Sequence, residues 1–144
     1  MDKKFMEVLL VEDSTEDAEL TLRALKKHNI INEIKWIADG QDALDYLFSA
    51  GNYSNQSNEM PKVILLDLKL PKVNGMEILE KLKQDHELRK IPVVILTSSK
   101  EDIDIQKAYG LGANSYIVKP VDFPKFADAI RQLGVYWVLL NENP

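Results

Sequence analysis

At 144 residues the chain has the length of one compact domain, and its 45% hydrophobic and 28% charged residues describe a globular sequence. Zero cysteines and two histidines exclude disulfide frameworks, thiolate zinc sites, iron–sulfur clusters, a cysteine nucleophile and a histidine-rich metal site. Eighteen Lys and Arg against 23 Asp and Glu leave a net charge of −5, without the positive field that nucleic-acid binding needs. No apolar run approaches the roughly 18 residues of a membrane span, and the Met1-Asp2-Lys3-Lys4 start does not read as a signal peptide. The expectation is a cytoplasmic domain that binds neither nucleic acid nor membrane.

In chain order, the first buried run is Val8–Val11, followed by a helical stripe of Ala18, Leu22 and Leu25. Ile34–Ile37 alternates and reads as an edge strand, and Ala43, Leu44 and Leu47 form the next stripe. An Asn- and Ser-rich insertion at Ala50–Pro61 precedes the second buried run, Val63–Leu66. Met76, Leu79 and Leu82 form a third stripe, and Val93–Leu96 a third buried run. Ile103, Lys107 and Gly110 mark a weak, polar helix before Tyr116–Val118. The last helix keeps an apolar stripe from Phe123 through Phe126, Ile130 and Leu133 to Trp137. Continuous β-branched runs are the mark of strands buried on both faces. Their alternation with helices predicts a doubly wound α/β sandwich with a parallel sheet. Little chain remains after Leu140, so a single domain without an output domain is expected.

What ends each strand carries the chemistry. Val11 is followed by Glu12-Asp13, Leu66 by Asp67, Leu96 by Thr97-Ser98-Ser99, and Val118 by Lys119-Pro120. Open α/β sheets bind ligands outside the carboxyl ends of their strands. Parallel neighbours would therefore bring three carboxylates, a hydroxyl and an ammonium into one crevice. Carboxylates so close repel unless a cation sits among them, and an all-oxygen donor set suits Mg²⁺. A carboxylate is also a nucleophile toward phosphorus, with Thr97, Lys119 and the metal stabilising the charge in transfer. Singly, each residue has an ordinary explanation: Asp13 or its neighbours as a helix cap, Asp67 as a loop carboxylate, Lys119 as a surface lysine. Their joint placement at four strand ends is what points to a site.

At these residues the sequence resembles the receiver domains of two-component response regulators, over nearly the whole chain. The motifs are Glu12-Asp13, Asp67 with Leu70-Pro71 and Gly75, then Thr97, Tyr116 and Lys119-Pro120. Glu-Asp replaces the commoner Asp-Asp pair. The resemblance implies a flavodoxin-like receiver fold, a five-stranded parallel sheet of order 2-1-3-4-5 with helices on both faces. It implies that Asp67 accepts a phosphoryl group from a sensor histidine kinase and that the chain is a signalling phosphoprotein rather than an enzyme. Mg²⁺ would be held by Asp13, Asp67 and the Lys69 carbonyl, with Glu12 acting through water. Lys119 would contact the phosphoryl group from a cis Lys119–Pro120 peptide, and Thr97 and Tyr116 would form the switch pair that signals to a downstream protein. The insertion, the run Gly112–Tyr116 and the tail Tyr136-Trp137…Asn141-Glu142 further resemble the stand-alone regulators of phytochrome-type histidine kinases.

Three rivals share parts of the pattern. An FMN-binding flavodoxin would want a Ser, Thr or Gly loop where Glu12-Asp13 stands. An aspartyl-nucleophile phosphatase would want an acid at Lys69. A pseudo-receiver, which binds partners without phosphorylation, would have lost a key group. Separately, Val135, Tyr136, Val138, Leu139 and Leu140 make the end of the last helix apolar nearly all round. Such a surface would be buried in a homodimer, on the kinase, or against the domain's own core.

Overall fold

The computed structural model describes residues 7–27, 33–54, 60–98 and 102–133. Among them five strands alternate with five α-helices: β1 Glu7–Val11, α1 Thr15–Lys26, β2 Glu33–Ile37, α2 Gly40–Leu47, β3 Val63–Asp67, α3 Gly75–Gln84, β4 Val93–Thr97, α4 Asp102–Gly110, β5 Ser115–Val118 and α5 Phe123–Gln132. The strands form one parallel sheet in the order β2-β1-β3-β4-β5. β2 is an edge, as its alternating sequence predicts, whereas β3 and β4 are buried at every residue.

Side-chain alternation along the strands divides the core into two halves. Leu9, Val11, Ile64, Leu66 and Ile95 pack on one face with Ala43, Leu44 and Leu47 of α2, Ile78, Leu79 and Leu82 of α3, and Ala108 of α4. Val8, Leu10, Leu65, Val94, Leu96 and Ile117 pack on the other with Ala18 and Leu25 of α1 and Phe126, Ala129 and Ile130 of α5. The α3 stripe differs from expectation in one residue. Ile78 takes the fully buried place and Met76 is only partly buried, because Ile78, Leu79 and Leu82 are the residues that share a helix face at this rotation. The α5 stripe holds through Phe126 and Ile130, with Phe123 and Leu133 half-buried. The tail residues Val135–Leu140, and with them the expected dimer surface, lie outside the described residues.

Parallel pairing carries every strand's carboxyl end to one edge of the sheet. Val11 is level with Leu66, Asp67 with Leu96, and Thr97 with Val118. Backbone bonds from Glu12 N to Ile37 O, Leu68 N to Leu96 O and Lys119 N to Thr97 O continue the ladder past the last strand residues. The loops after β1, β3 and β5 are thereby held side by side.

A metal-competent acidic site at the carboxyl edge of the sheet

The acidic pair is positioned by a division of labour at the start of α1. Ser14 is the cap, its hydroxyl accepting from Asp17 N at 3.2 Å, which leaves Asp13 uninvolved in capping and exposed. Glu12 points inward and is fully buried. Its backbone is pinned from β2, where Trp36 Nε1 donates to Glu12 O at 2.8 Å. Asp67 is buried at the end of β3, and its Oδ1 accepts from Lys69 N at 3.2 Å. Behind it α3 begins so close that a Cβ on Gly75 would collide with Asp67 O and lie 2.7 Å from Leu68 Cα. Only glycine permits this approach, so Gly75 belongs to the architecture of the loop after β3.

One carboxylate oxygen each from Glu12, Asp13 and Asp67 lies within 4.8 Å of the others. Lys119, following β5 with its cis Lys119–Pro120 peptide, inserts its ammonium beside them. Its Nζ stands 2.7 Å from Glu12 Oε1, 2.9 Å from Asp17 Oδ2 and 3.2 Å from Asp67 Oδ2, and the side chain is only 15% exposed. Burial pulls the ammonium's pKa down, but the hydrogen bonds and charges of Glu12, Asp17 and Asp67 outweigh it and hold the group above the ordinary lysine value. Burial pushes Glu12 up to about 7; the contact with Lys119 opposes this, the neighbouring Asp67 adds to it, and the Ser14 N–H opposes it.

A divalent cation fits this arrangement. Four acidic groups, Glu12, Asp13, Asp17 and Asp67, face one ammonium, leaving an uncompensated negative field. Glu12 Oε1 is buried and, although ion-paired to Lys119, has no well-directed hydrogen bond. A buried carboxylate oxygen without a directed hydrogen bond, beside two further carboxylates, is the donor chemistry that Mg²⁺ and Mn²⁺ take.

Thr97 is buried at the end of β4. Tyr116 lies on the adjacent strand, paired with Ile95 two residues earlier, and its ring is exposed, edge-on to Tyr109 of α4 with centroids 6.0 Å apart. The structure thus gathers Glu12, Asp13, Asp67 and Lys119 into one cluster, joins Lys69 to it through its backbone N–H, and places Thr97 on the neighbouring strand end. Two residues escaped the sequence reading. Asp17 lies one helical turn beyond Asp13, a spacing that gives its face of α1 but not its lysine partner. Trp36 lies opposite Leu10, beside the acidic pair, a neighbour that only the β1–β2 register reveals.

Residues 8–131 match the family described as "Response regulator receiver domain". The chain belongs to this family. It is 39% identical over 137 residues to the probable methanogenesis regulatory protein FilR2 of Methanothrix harundinacea, covering 95% of this chain and 86% of that protein. It is 37% identical over 131 residues to response regulator Rcp1 of Synechocystis sp., covering 91% and 88%. Among solved structures, the bacteriophytochrome response regulator AtBRR superposes with a TM-score of 0.86 at 51% identity, covering 97% of this chain and 99% of that one. The Mn²⁺-bound form of Rcp1 superposes with a TM-score of 0.75 at 35% identity, covering 96% and 97%. The protein is a receiver-domain response regulator related to those of phytochromes. None of the groups a pseudo-receiver would lack is missing, and no described helix is long and apolar enough to cross a membrane.

Proposed function

We propose that this chain receives a phosphoryl group on Asp67 from a sensor histidine kinase and passes the signal on by changing conformation. The observation that carries the reading is Asp67 itself. It is a buried carboxylate at the end of a central strand, 3.2 Å from an ammonium and grouped with two further carboxylates. In the transfer a carboxylate oxygen of Asp67 bonds to phosphorus. The phosphorus–nitrogen bond to the kinase imidazole breaks, and its electron pair stays on that nitrogen, so that a ring protonated on its other nitrogen leaves as neutral imidazole. Mg²⁺, held by Asp13, Asp67 and the Lys69 carbonyl with Glu12 through water, would supply positive charge to the phosphoryl oxygens. Lys119, 3.2 Å from Asp67 Oδ2, supplies a second positive charge beside the acceptor.

The switch is assigned to Thr97 and Tyr116. The Thr97 hydroxyl turns to the phosphoryl group and the Tyr116 ring, now exposed against Tyr109, turns into the space vacated. The likeness to bacteriophytochrome response regulators favours a phytochrome-type kinase as donor. The chain acts as a stoichiometric acceptor that assists its own phosphorylation and dephosphorylation, not as an enzyme turning over an external substrate. Incubation with a small phosphodonor and Mg²⁺ tests the acceptor. Mass spectrometry should find one acyl phosphate on Asp67 and none in Asp67→Asn, and equal labelling of that variant would refute the assignment.

A further inference from the structure

Before any phosphoryl group arrives the ammonium of Lys119 is already held by three carboxylates, through directed hydrogen bonds to Asp17 and Asp67 and an ion pair with Glu12. Two of those neighbours, Glu12 and Asp67, belong to the cluster that suits a divalent ion, whereas Asp17 does not. A cation bound there offsets the charge of Glu12 and Asp67 and leaves that of Asp17 intact. Asp17 therefore keeps its full pull on Lys119 in the metal-loaded site, across the shorter of the ammonium's two well-directed hydrogen bonds, 2.9 Å against 3.2 Å to Asp67. Its position is fixed by the helix cap, since the Asp17 backbone N–H is the one Ser14 accepts from.

A phosphoryl group on Asp67 places its oxygens farther out than Oδ2. An ammonium that follows them cannot keep contacts of 2.7 to 3.2 Å to all three present partners. Which partner is released is decided by burial. Glu12 is wholly buried, so no water can replace the ammonium at its Oε1 if Lys119 leaves. The Asp17 side chain is 42% exposed and water replaces the lost ammonium at little cost.

We propose that Asp17 is a resting latch for Lys119. It holds the ammonium on the α1 side of Asp67, and opening this contact is part of what binding a phosphoryl group must overcome. Asp17 is a positioning residue that acts through Lys119. The inference rests on Asp67 being the phosphoryl acceptor.

Trifluoroberyllate, which completes a phosphoryl-like tetrahedron on a carboxylate oxygen, reads the latch as a binding constant by calorimetry in Mg²⁺. Asp17→Asn should bind it about three- to fivefold more tightly than the parent, the range open to a partly exposed ion pair. Asp17→Ala serves as a second uncharged variant, and Asp17→Glu, which restores the charge, should recover most of the parent value. In a Lys119→Gln background Asp17→Asn should have no effect, because the latch has nothing to hold. Unchanged or weaker binding by both uncharged variants overturns the latch, as does tightening that persists undiminished with Lys119→Gln. Equal binding by the parent and Asp67→Asn would overturn the acceptor reading and the latch with it. Binding that needs Asp67 and ignores Asp17 overturns the latch alone.

Discussion

Lys119 Nζ lies 2.7 Å from Glu12 Oε1, although the two residues sit 107 positions apart and Glu12 is fully buried. Parallel pairing of β1 and β5 with the strands between them creates this contact. It sets the electrostatics of the site: among the described residues, one cation lies among four acids.

Glu12 makes metal-free stability depend on pH. Its carboxyl rises from 4.5 in the unfolded chain to about 7, chiefly by burial, so the folded protein holds this proton more tightly. The resulting stabilisation is complete below the unfolded value and is lost as pH rises through the folded one. The groups facing Glu12 are Asp13 after β1, Asp67 of β3, Lys119 beyond β5 and the Ser14 N–H. In a chelator, the parent should lose on the order of 3 kcal/mol relative to Glu12→Gln between these two pH values. Denaturant unfolding across the range checks this, and a constant difference would contradict it.

Mg²⁺ should raise the melting temperature, since it binds the folded site and relieves like-charge repulsion. Asp13→Asn removes one exposed ligand without touching the core and should weaken the ion at least about tenfold. About 1.4 kcal/mol of the Mg²⁺ stabilisation would then be lost. A thermal shift as large as the parent's would remove Asp13 from the ligand set.

Lys119→Ala should move the same measurement the other way. Without its ammonium the acidic cluster loses its only nearby cation among the described residues, costing about 2 kcal/mol in metal-free protein. Mg²⁺ then restores more than it adds to the parent, so the thermal shift grows. Phosphorylation of this variant should no longer reach Tyr116. A smaller Mg²⁺ shift, or a normal change in tyrosine fluorescence on phosphorylation, would count against the role given to Lys119.

Gly75→Ala should destabilise the fold by at least about 2 kcal/mol, because the added methyl meets the Asp67 backbone and neither side can yield freely. Denaturation midpoints decide the matter. A neutral substitution would mean that α3 does not press on the acceptor loop.

Much of this site was legible because apolar runs stop abruptly at the sheet edge. Val63–Leu66 ending in Asp67 and Val8–Val11 ending in Glu12-Asp13 expose fold and chemistry at once, since strand burial and ligand position are consequences of one topology. The weak pattern of α4 was also informative: Ile103 and Tyr109 are exposed there and Ala108 alone is firmly buried among its described side chains. Asp17 was illegible for a physical reason. Its partner is 102 positions away, and nothing in a helix's first turn distinguishes an acid that complements the dipole from one that holds a lysine. The outward ring of Tyr116 was likewise hidden, because strand alternation gives its face but not its packing against Tyr109.

The most direct test of the central claim is phosphotransfer from a radiolabelled phytochrome-type histidine kinase to the parent and to Asp67→Asn, each with Mg²⁺ and with a chelator. Label should move to the parent only when Mg²⁺ is present, and to Asp67→Asn in neither condition. Transfer that proceeds equally in the chelator, or that survives loss of the Asp67 carboxylate, would contradict the account.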